Sequence, residues 1–448
     1  MRSLTTLAAE LRSGSVSARD LVEEALDAAQ TRGNQAYRAL RSTSARVEAD
    51  LVDRAFVLGR DLGPLAGLPI SVKDLYGLDG EQTFAGTPRA LPPRFERTGS
   101  LLERAARQVG VIVGKTHTVE LAFGGIGTNA HWGTPRNPCA SDGRRVPGGS
   151  SSGAGVSLRE GSAVLAFGTD TAGSVRIPAA WTGTVGLKTT KGRWPTDGIV
   201  PLSTTLDTPG ILARTVEELA FAFHALDRVG VTVSQIAGLA EPRDAAGLRL
   251  GVATGLFRED CSPGVWEAVE TAVLALEEAG ARVEDVELAG VEQAKAVFDL
   301  GGPTAIELHS FLSLELPDWL ETLDPAVRDR LRSAAETPAG EYLRRLAEMR
   351  RAHATAMAGL EGFDAILTPT VANTPPLVED LEDLDRYRRE NLLALRNTAM
   401  VSTLGLCAVS LPCGVDAAGM PVGLQLIGPA NGETGLLAVA GGVERAIG

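Results

Sequence analysis

Apolar residues recur at intervals of three and four through the first sixty residues, and this spacing predicts helices. Ser17 is placed to cap the first of them, ARDLVEEALDAAQTRG, and a second helix is predicted over SARVEADLVDRAFVLGRDL. The pattern changes at GPLAGLPISVKD, where prolines and glycines precede a short apolar run. Such a change is typical of a loop that enters a strand. We therefore expect a buried strand that ends near Lys73.

Helical and apolar segments alternate farther along the chain. Ser100 and Glu103 fit a capping box at the start of one helical run, and Thr215 and Glu218 repeat the pattern at another. Between and after these helices, short apolar runs predict strands: VIVGKT, AVLAFGTD, LRLGVA, RVEDVEL, AILTPTV, CAVSLPCG and VGLQLIGP.

The second half continues the alternation. Ser262 with Pro263 predicts the start of a helix, long helices are predicted over residues 290–360, and GETGLLAVAGGVERAIG predicts a closing helix. No low-complexity linker or internal repeat interrupts the pattern. The expected fold class is α/β, with a large mixed central sheet flanked by helices on both faces, in a single domain over residues 1–448.

Charge and composition narrow the range of functions. The 448 residues carry a formal net charge of −13, which disfavours nucleic-acid binding because that function usually needs a basic face. The N-terminus lacks the apolar segment of a signal peptide, and no run reaches the roughly 18 apolar residues of a membrane span. The cysteines form no CxxC pair and no zinc-ligand spacing with the histidines. We expect a cytoplasmic protein with no nucleic-acid or membrane partner, and abundant Ala and Arg with little Lys indicates a bacterial source.

The stretch from Ser150 to Ser174 contains six serines and more glycine than a helix or strand interior tolerates. One of the serines, Ser151, falls in a G-x-S-x-G pattern. That motif requires a strand before the serine, whereas RRVPGG precedes this one. A nucleophile elbow is therefore not expected.

Two patterns that resemble nucleotide-binding motifs also lack their context. Residues 114–116 read Gly-Lys-Thr, but Val109 occupies the position at which a phosphate loop needs glycine. A glycine pattern over residues 125–130 is followed by HWGTPRNP instead of a helix. The histidines form no catalytic set by local spacing, although His117 and His131 lie near the glycine loops and are candidates for lining a pocket.

Lysine is an alternative base for a serine nucleophile, provided that its amine is neutral near pH 7. Burial disfavours the charged form and lowers a lysine pKa. Lys73 ends the apolar run LAGLPISV, where a buried lysine is expected. Its neighbour Asp74 should point to the opposite face of the strand, and therefore need not hold Lys73 in its charged form.

Several ordered blocks resemble the amidase signature family of serine hydrolases: LAGLPISVKDLYG, VPGGSSSGAG, FGTDTAGSVRIPAA, VGLKTTKGRW and GIVPLSTTLDTPGILART. The resemblance is dense over residues 64–220 and continues more weakly to the C-terminus. It implies the amidase signature fold, with a helical N-terminal segment over 1–62, the signature core over 64–220, and a C-terminal half over 221–448 that contains the substrate pocket.

The resemblance also implies a Ser-Ser-Lys catalytic triad. The family lysine falls on Lys73, the bridging serine on Ser150 and the nucleophile on Ser174. The family places its bridging serine next to a non-proline cis peptide bond. Ser151 and Ser152 are then expected to bond local backbone in the turn.

An acyl-transfer reaction also needs backbone N–H groups that stabilise the oxyanion. The candidates are Thr171, Ala172, Gly173 and Ser174. The blocks GGSSSG and GTDTAGS depart from the commoner GGSSGG and GTDTGGS of the family, which leaves the shape of the pocket beside Ala172 open.

Charges and substrate contacts complete the predicted site. An ion pair between Asp170 and Arg176 could fix the nucleophile loop, with two independently solvated charges as the alternative.

The segment ELAFGGIGTNAHWGTPRNP matches the family's substrate-side loop, in which Phe123, Gly124 and Gly125 are the candidate substrate-binding residues or, alternatively, turn residues that support the fold.

Aromatic side chains are few, so an aromatic-lined pocket would use few of them. The candidates are Trp132, Trp194 and Phe298.

The resemblance implies a serine amidohydrolase that converts a small carboxamide to a carboxylate and ammonia or an amine, with no metal and no organic cofactor. The expected partner is a small-molecule amide substrate, and a homodimer is left open. Alternative functions are an allophanate hydrolase-like ureido-acid hydrolase and a glutamine-dependent amidotransferase A-type subunit. A non-enzymatic binding protein is disfavoured because Lys73, Ser150 and Ser174 are all present.

Overall fold

The apolar runs form strands of one mixed sheet. The computed structural model describes residues 2–228, 230–332 and 334–448, and within them eleven strands pair in the order β1-β3-β2-β4-β6-β5-β10-β11-β9-β7-β8. The strands are β1 Tyr37–Leu40, β2 Pro69–Lys73, β3 Val111–Thr116, β4 Leu165–Asp170, β5 Val185–Lys188, β6 Thr208–Ala213, β7 Arg249–Ala253, β8 Arg282–Val286, β9 Ala365–Pro369, β10 Cys407–Val415 and β11 Pro421–Gly428.

Helices precede, follow and connect these strands. They are α1 Leu4–Ser13, α2 Ala18–Thr31, α3 Ser42–Val57, α4 Ser100–Ala106, α5 Ser152–Glu160, α6 Arg176–Thr182, α7 Val216–Asp227, α8 Val233–Leu239, α9 Val265–Glu278, α10 Val291–Asp299, α11 Thr304–Glu315, α12 Pro325–Arg332, α13 Ala339–Gly359, α14 Leu384–Thr403 and α15 Glu433–Ile447. In this described part of the chain, no helix is both long enough and apolar enough to cross a membrane.

The sheet is covered by helices on both faces, as the alternation predicts. Successive strand residues point to opposite faces, so Phe167 and Ala166 of β4 contribute to different cores. Phe167 packs in an extensive apolar cluster with residues of α7 and α15. Ala166 packs instead against Leu158 of α5 and Ala179 of α6. Burial on both faces explains why β4 reads as a continuous apolar run.

The sheet includes strands from residue 37 to residue 428, so it draws on the N-terminal segment, the signature core and the C-terminal half alike. The mixed α/β architecture is confirmed, whereas the single domain stays a prediction.

The predicted helix caps form where no distant residue binds the same N–H or hydroxyl groups. Ser17 caps α2 and accepts a hydrogen bond from the Asp20 N–H, as predicted. The capping role of Ser100 is wrong, because its N–H and hydroxyl both donate to Asp197 at 2.8 and 2.7 Å. The helix predicted to open at Ser262 begins only at Val265.

The second predicted capping box is only half formed. The Thr215 hydroxyl accepts from the Glu218 N–H at 3.2 Å. The Glu218 carboxylate does not return to Thr215 but accepts from the backbone of Leu4 and Arg214 at 3.0 Å each. The distant Leu4 and the neighbouring Arg214 thus occupy the carboxylate that the local motif needs.

The core strands bring the candidate residues to one edge of the sheet. β2 lies between β3 and β4 and runs parallel to both, with Val72 opposite Phe167 of β4. The carboxyl ends of parallel strands lie at the same edge. Lys73, which ends β2, therefore lies beside the end of β4, from which the chain continues towards Ser174.

Candidate active site

Lys73 is enclosed at the end of β2 and is 0% exposed. Its Nζ lies 2.7 Å from the Ser150 hydroxyl and 2.8 Å from the Thr169 hydroxyl. In the described residues no carboxylate forms an ion pair with it, and Asp74 faces away, as strand alternation predicts. Asp74 pairs instead with Arg38 at 2.6 Å and with Lys115 at 2.9 Å.

The surroundings of Lys73 favour its neutral form. Burial lowers the pKa of Lys73 to about 7, while the more distant carboxylates of Asp207 and Asp170 act in the opposite direction. An amine with this pKa is neutral, and so available as a base, in a substantial fraction of molecules at neutral pH, whereas an exposed lysine is almost entirely protonated.

Ser150 is buried in the glycine-rich turn that leads into α5, and the Gly149–Ser150 peptide bond is cis, as the family resemblance implies. Its carbonyl accepts from the Val119 N–H at 3.1 Å, which connects the turn to the loop after β3. Gly149 N–H donates to the Gly125 carbonyl at 2.8 Å. The turn is thus held by backbone hydrogen bonds on both sides of the Ser150 hydroxyl.

The other two serines of the turn do not bond local backbone as predicted. The Ser151 hydroxyl lies 3.4 Å from the backbone N and O of Thr169, a residue of β4. The Ser152 hydroxyl is buried without a hydrogen-bond partner in the described residues. The turn is packed against the sheet, so its nearest polar neighbours are strand groups.

Ser174 lies in the loop between β4 and α6 and is 3% exposed. Its carbonyl accepts from the Ser151 N–H at 3.3 Å, which joins this loop to the Ser150 turn. Among the described residues, no direct hydrogen bond connects the Ser150 and Ser174 hydroxyls. The structure therefore brings Lys73 and Ser150 into direct contact and places Ser174 on the adjoining loop.

Asp170 and Arg176 form the predicted pair, and both are fully buried. The carboxylate accepts from Arg176 Nε and Nη2 at 2.9 Å each. Arg176 also donates to Gln425 at 2.6 Å and to Ser402 at 2.9 Å. Asp170 accepts in addition from the Gly173 N–H at 2.7 Å. A buried pair with this many hydrogen bonds fixes the loop that carries Ser174.

The same contacts modify the set of predicted oxyanion donors. Because the Gly173 N–H is held by Asp170, it is not available to a substrate. The N–H groups of Thr171, Ala172 and Ser174 have no acceptor within the described residues. Gly173 still has a structural role, since its φ is +137° and a Cβ there would lie 2.1 Å from the Thr398 hydroxyl.

Asp207 holds the start of this loop from the side. Its carboxylate accepts from the Thr171 hydroxyl at 2.6 Å and from the N–H groups of Leu202 and Ser203 at 2.9 and 3.0 Å. Burial nevertheless raises the pKa of Asp207. Neither Asp207 nor Thr169 was singled out from the sequence, because each contacts the site from a different strand or loop.

A cavity of about 390 Å³ opens at the nucleophile loop, and Thr171, Ala172 and Ser174 contribute to its wall. Most of the remaining lining is apolar and includes Leu202, Leu206, Phe298, Ile306 and Leu395. The charged residues Asp329, Arg330 and Arg345 also line it. The volume suits a small molecule, in agreement with the usual form of ligand sites: an apolar wall with a few polar groups.

Phe123 and Gly124 line this cavity, whereas Gly125 is not among the described residues of its wall. The Gly125 N–H donates to Asn391 Oδ1 at 2.8 Å, and a Cβ there would lie 2.9 Å from Leu395. Gly125 therefore supports the fold behind the pocket.

Of the three candidate aromatic residues, only Phe298 lines the cavity in the described part of the chain. Trp132 packs against Phe84, with ring centroids 5.1 Å apart, and Trp194 packs against Phe223 at 5.6 Å. His117 and His131 are also absent from the described wall, and His131 Nε2 lies 2.9 Å from Glu120.

Comparison with known proteins assigns the family. A family model described as Amidase matches residues 20–437. The chain belongs to the amidase family. The fold and reaction class implied by the resemblance of its blocks are thereby confirmed: the protein is an enzyme, an amidohydrolase, and it acts on an amide substrate.

Relatives within the amidase family match over nearly the whole chain. The 2-amino-5-chloromuconic acid deaminase of Comamonas testosteroni is 52% identical over 413 residues, which cover 92% of this chain and 88% of the relative. A glutamyl-tRNA(Gln) amidotransferase subunit of Synechococcus sp. (strain CC9605) is 31% identical, with 98% and 94% covered. The solved peptide amidase of Stenotrophomonas maltophilia is 26% identical and superposes with a TM-score of 0.84 over 99% and 96% of the two chains.

Proposed function

We propose that this amidase hydrolyses a small carboxamide through an acyl-enzyme on Ser174, with Lys73 as the base and Ser150 as the relay. The observation that carries the proposal is the buried Lys73 amine, 2.7 Å from the Ser150 hydroxyl, with no carboxylate paired to it in the described residues. A neutral amine in contact with a hydroxyl can accept its proton, and that hydroxyl can in turn accept one from a nucleophile.

The proposed first half of the reaction moves two protons in sequence. The Ser150 hydroxyl proton passes to Lys73 Nζ while the Ser174 proton passes to the Ser150 oxygen. Ser174 Oγ forms a bond to the amide carbon, and the oxyanion accepts from the free N–H groups of Thr171, Ala172 and Ser174. The C–N bond then breaks as the leaving nitrogen takes a proton back through Ser150. Water repeats the sequence on the ester and releases the carboxylate.

The relay requires the Ser150 and Ser174 hydroxyls to approach each other. In the absence of substrate, catalytic hydrogen bonds are often long and tighten only in the reacting complex. The Ser174 loop and the Ser150 turn already share a backbone hydrogen bond of 3.3 Å. We infer that substrate binding, or one bridging water, completes the chain of hydroxyls.

Two relatives bear on the substrate and the leaving group. The relative at 52% identity is named for an acid and for a deamination, which supports a small acidic substrate and release of ammonia. The relative at 31% identity is part of an amidotransferase, which supports a second candidate function in which ammonia is delivered to a partner protein. Ammonia release by the purified chain alone would distinguish the first function from the second.

A direct test compares two buried serines. Ser174→Ala should abolish ammonia release from a panel of aliphatic, aryl and ureido amides, and should prevent labelling by a fluorophosphonate probe. Ser152→Ala is the matched control, because its hydroxyl has no partner in the described residues and its removal should be nearly neutral. Retained turnover in Ser174→Ala, or labelling at another residue, would contradict the proposal.

The expected cytoplasmic location also remains part of this proposal, and the homodimer remains open. Light scattering of the purified chain measures the assembly independently of the chemistry.

A further inference from the structure

Arg330 is the cavity residue whose charge has no counter-charge in the described residues. It lies near the end of α12 and lines the same cavity as Ser174. Its Nη1 donates to the Phe123 carbonyl at 2.7 Å, and its Cζ lies 3.8 Å from the centroid of the Phe123 ring. These contacts hold the guanidinium plane against the substrate-side loop.

Among the described residues, the remaining donors of Arg330 have no acidic partner. A guanidinium carries five N–H donors, of which the Phe123 carbonyl accepts one and the Tyr387 hydroxyl interacts with another. Within residues 2–228, 230–332 and 334–448, no carboxylate lies within 4.0 Å of its nitrogen atoms; the adjacent Asp329 pairs with Arg388 at 2.6 Å. Burial lowers the pKa of Arg330, and Tyr387 only partly opposes this effect. A guanidinium remains charged under these conditions, so it favours an anionic partner.

The second arginine of the cavity shows the contrast. Arg345 Nε donates to Glu341 at 2.9 Å, and its Nη1 donates to the Gly302 carbonyl at 2.9 Å. Arg345 thus has a carboxylate partner within the chain, and it shares that carboxylate with Arg344, which donates to Glu341 at 2.8 Å. Of the two arginines in the described wall, Arg330 is the one that has no carboxylate partner in the part of the chain that the structure describes.

We propose that Arg330 binds a free carboxylate of the substrate, so that the enzyme selects amides that are also acids. This inference rests on the proposed function, in which Ser174 attacks the amide. An amide substrate consists of an acyl part and an amine part. When the amine part is released as ammonia, it contains no carboxylate, and the carboxylate must therefore belong to the acyl part. The substrate class is then the monoamides of short dicarboxylic acids, whose apolar chain would lie against Leu202, Leu206 and Ile306.

The test compares an acid with its neutral isostere. Wild-type enzyme should hydrolyse glutaramic acid with a kcat/KM at least about 10-fold above that for glutaramide, because a site built for a polar group rejects the analogue that lacks it. Arg330→Met should lower kcat/KM for the acid about 100-fold and change that for the diamide less than about threefold. Arg330→Lys keeps the charge without the planar fork, so it should lose about 10-fold on the acid.

Arg332→Met is the matched control, since it removes the same charge from the same helix at a side chain that is 78% exposed. It should leave the preference for the acid unchanged. Equal losses on the acid and the diamide in Arg330→Met would show that Arg330 only supports the fold, and would overturn the inference. Absence of acid preference in wild-type enzyme would overturn it without any variant.

A second measurement needs no turnover. Glutarate should protect Ser174 of the wild-type enzyme from fluorophosphonate labelling, and should fail to protect Arg330→Met, whereas glutaramide should protect neither well. If the probe labels Ser174 but glutarate gives no selective protection, Arg330 does not bind carboxylates. The proposal that Ser174 is the nucleophile is unaffected by that result. Failure of Ser174 to label at all would instead contradict the proposed function.

Discussion

Two buried lysines on neighbouring strands have opposite kinds of partner. Lys73 ends β2, and Lys115 lies on β3, where it pairs in register with Val72. Lys115 Nζ lies 2.9 Å from the Asp74 carboxylate and 2.7 Å from the Thr83 hydroxyl. Lys73 contacts only hydroxyls in the described structure. Adjacent positions in one sheet thus hold a structural cation and a candidate base.

The comparison shows that burial alone does not identify a base. Burial lowers the pKa of both lysines, but an ion pair opposes this change at Lys115. A third lysine, Lys188, is also buried, and its pKa is lowered to about 8. Its amine lies 3.0 Å from two backbone carbonyls, which have no proton to relay. Among these three, Lys73 is distinguished by a hydroxyl partner without a paired carboxylate in the described residues, in a turn that is hydrogen-bonded to the loop of Ser174.

The largest expected effect comes from replacing Lys73 and Lys115, each in its own variant, with methionine. Lys73→Met should lower kcat/KM at least about 10³-fold, because it removes the proposed proton acceptor. Lys115→Met should retain turnover and instead lose about 1–3 kcal/mol of unfolding free energy, because the buried Asp74 loses one of its two ion pairs. Kinetics and thermal unfolding of both variants provide the measurement. Full activity in Lys73→Met would remove the distinction between the two sites.

The position of the candidate base was predictable from the sequence because it depends on a short local segment. The apolar run LAGLPISV places Lys73 at a strand end, and the alternation of side chains along a strand turns Asp74 to the other face; both predictions are confirmed. The family blocks then identify Ser150 and Ser174 as the residues to examine. These signals lie within short segments, where spacing alone determines which way a side chain points.

Contacts between distant segments could not be predicted in the same way. Ser100 fails as a cap because Asp197, 97 residues away, takes its N–H and hydroxyl. The Thr169 hydroxyl contacts Lys73 from the neighbouring strand β4. The Gly173 N–H, in contrast, donates to Asp170 within one loop, a local contact that depends on the loop conformation. Arg330 belongs to no motif, so only the cavity reveals it. Strands β1, β5 and β6 were likewise not predicted as strands.

A smaller effect is expected when the charge near Lys73 is altered indirectly. Arg176→Met leaves Asp170 buried without its ion pair, and the loop that carries Ser174 loses its main support. We expect kcat to fall about 10- to 100-fold, as for a small misplacement of a reacting group. The unneutralised Asp170 should also raise the pKa of Lys73, which moves the acidic limb of the rate profile to higher pH. Unchanged kcat in a folded Arg176→Met variant would reject the supporting role.

The smallest expected effect is a shift of the pH profile without loss of the base. With a pKa of about 7 for Lys73, kcat/KM should rise as pH increases through about 7 and fall about 10-fold per pH unit below it. The Asp207 carboxylate favours the charged amine, so Asp207→Asn should lower the pKa of Lys73 and move this limb to lower pH. Asp385→Asn is the control, because it removes one carboxylate from a side chain that is 75% exposed. This variant should not move the acidic limb of the profile. Rate profiles from about pH 5 to about pH 9 provide the comparison. If the acidic limb moves equally in both variants, the net charge of the protein, and not the Asp207 carboxylate, determines the pKa of Lys73.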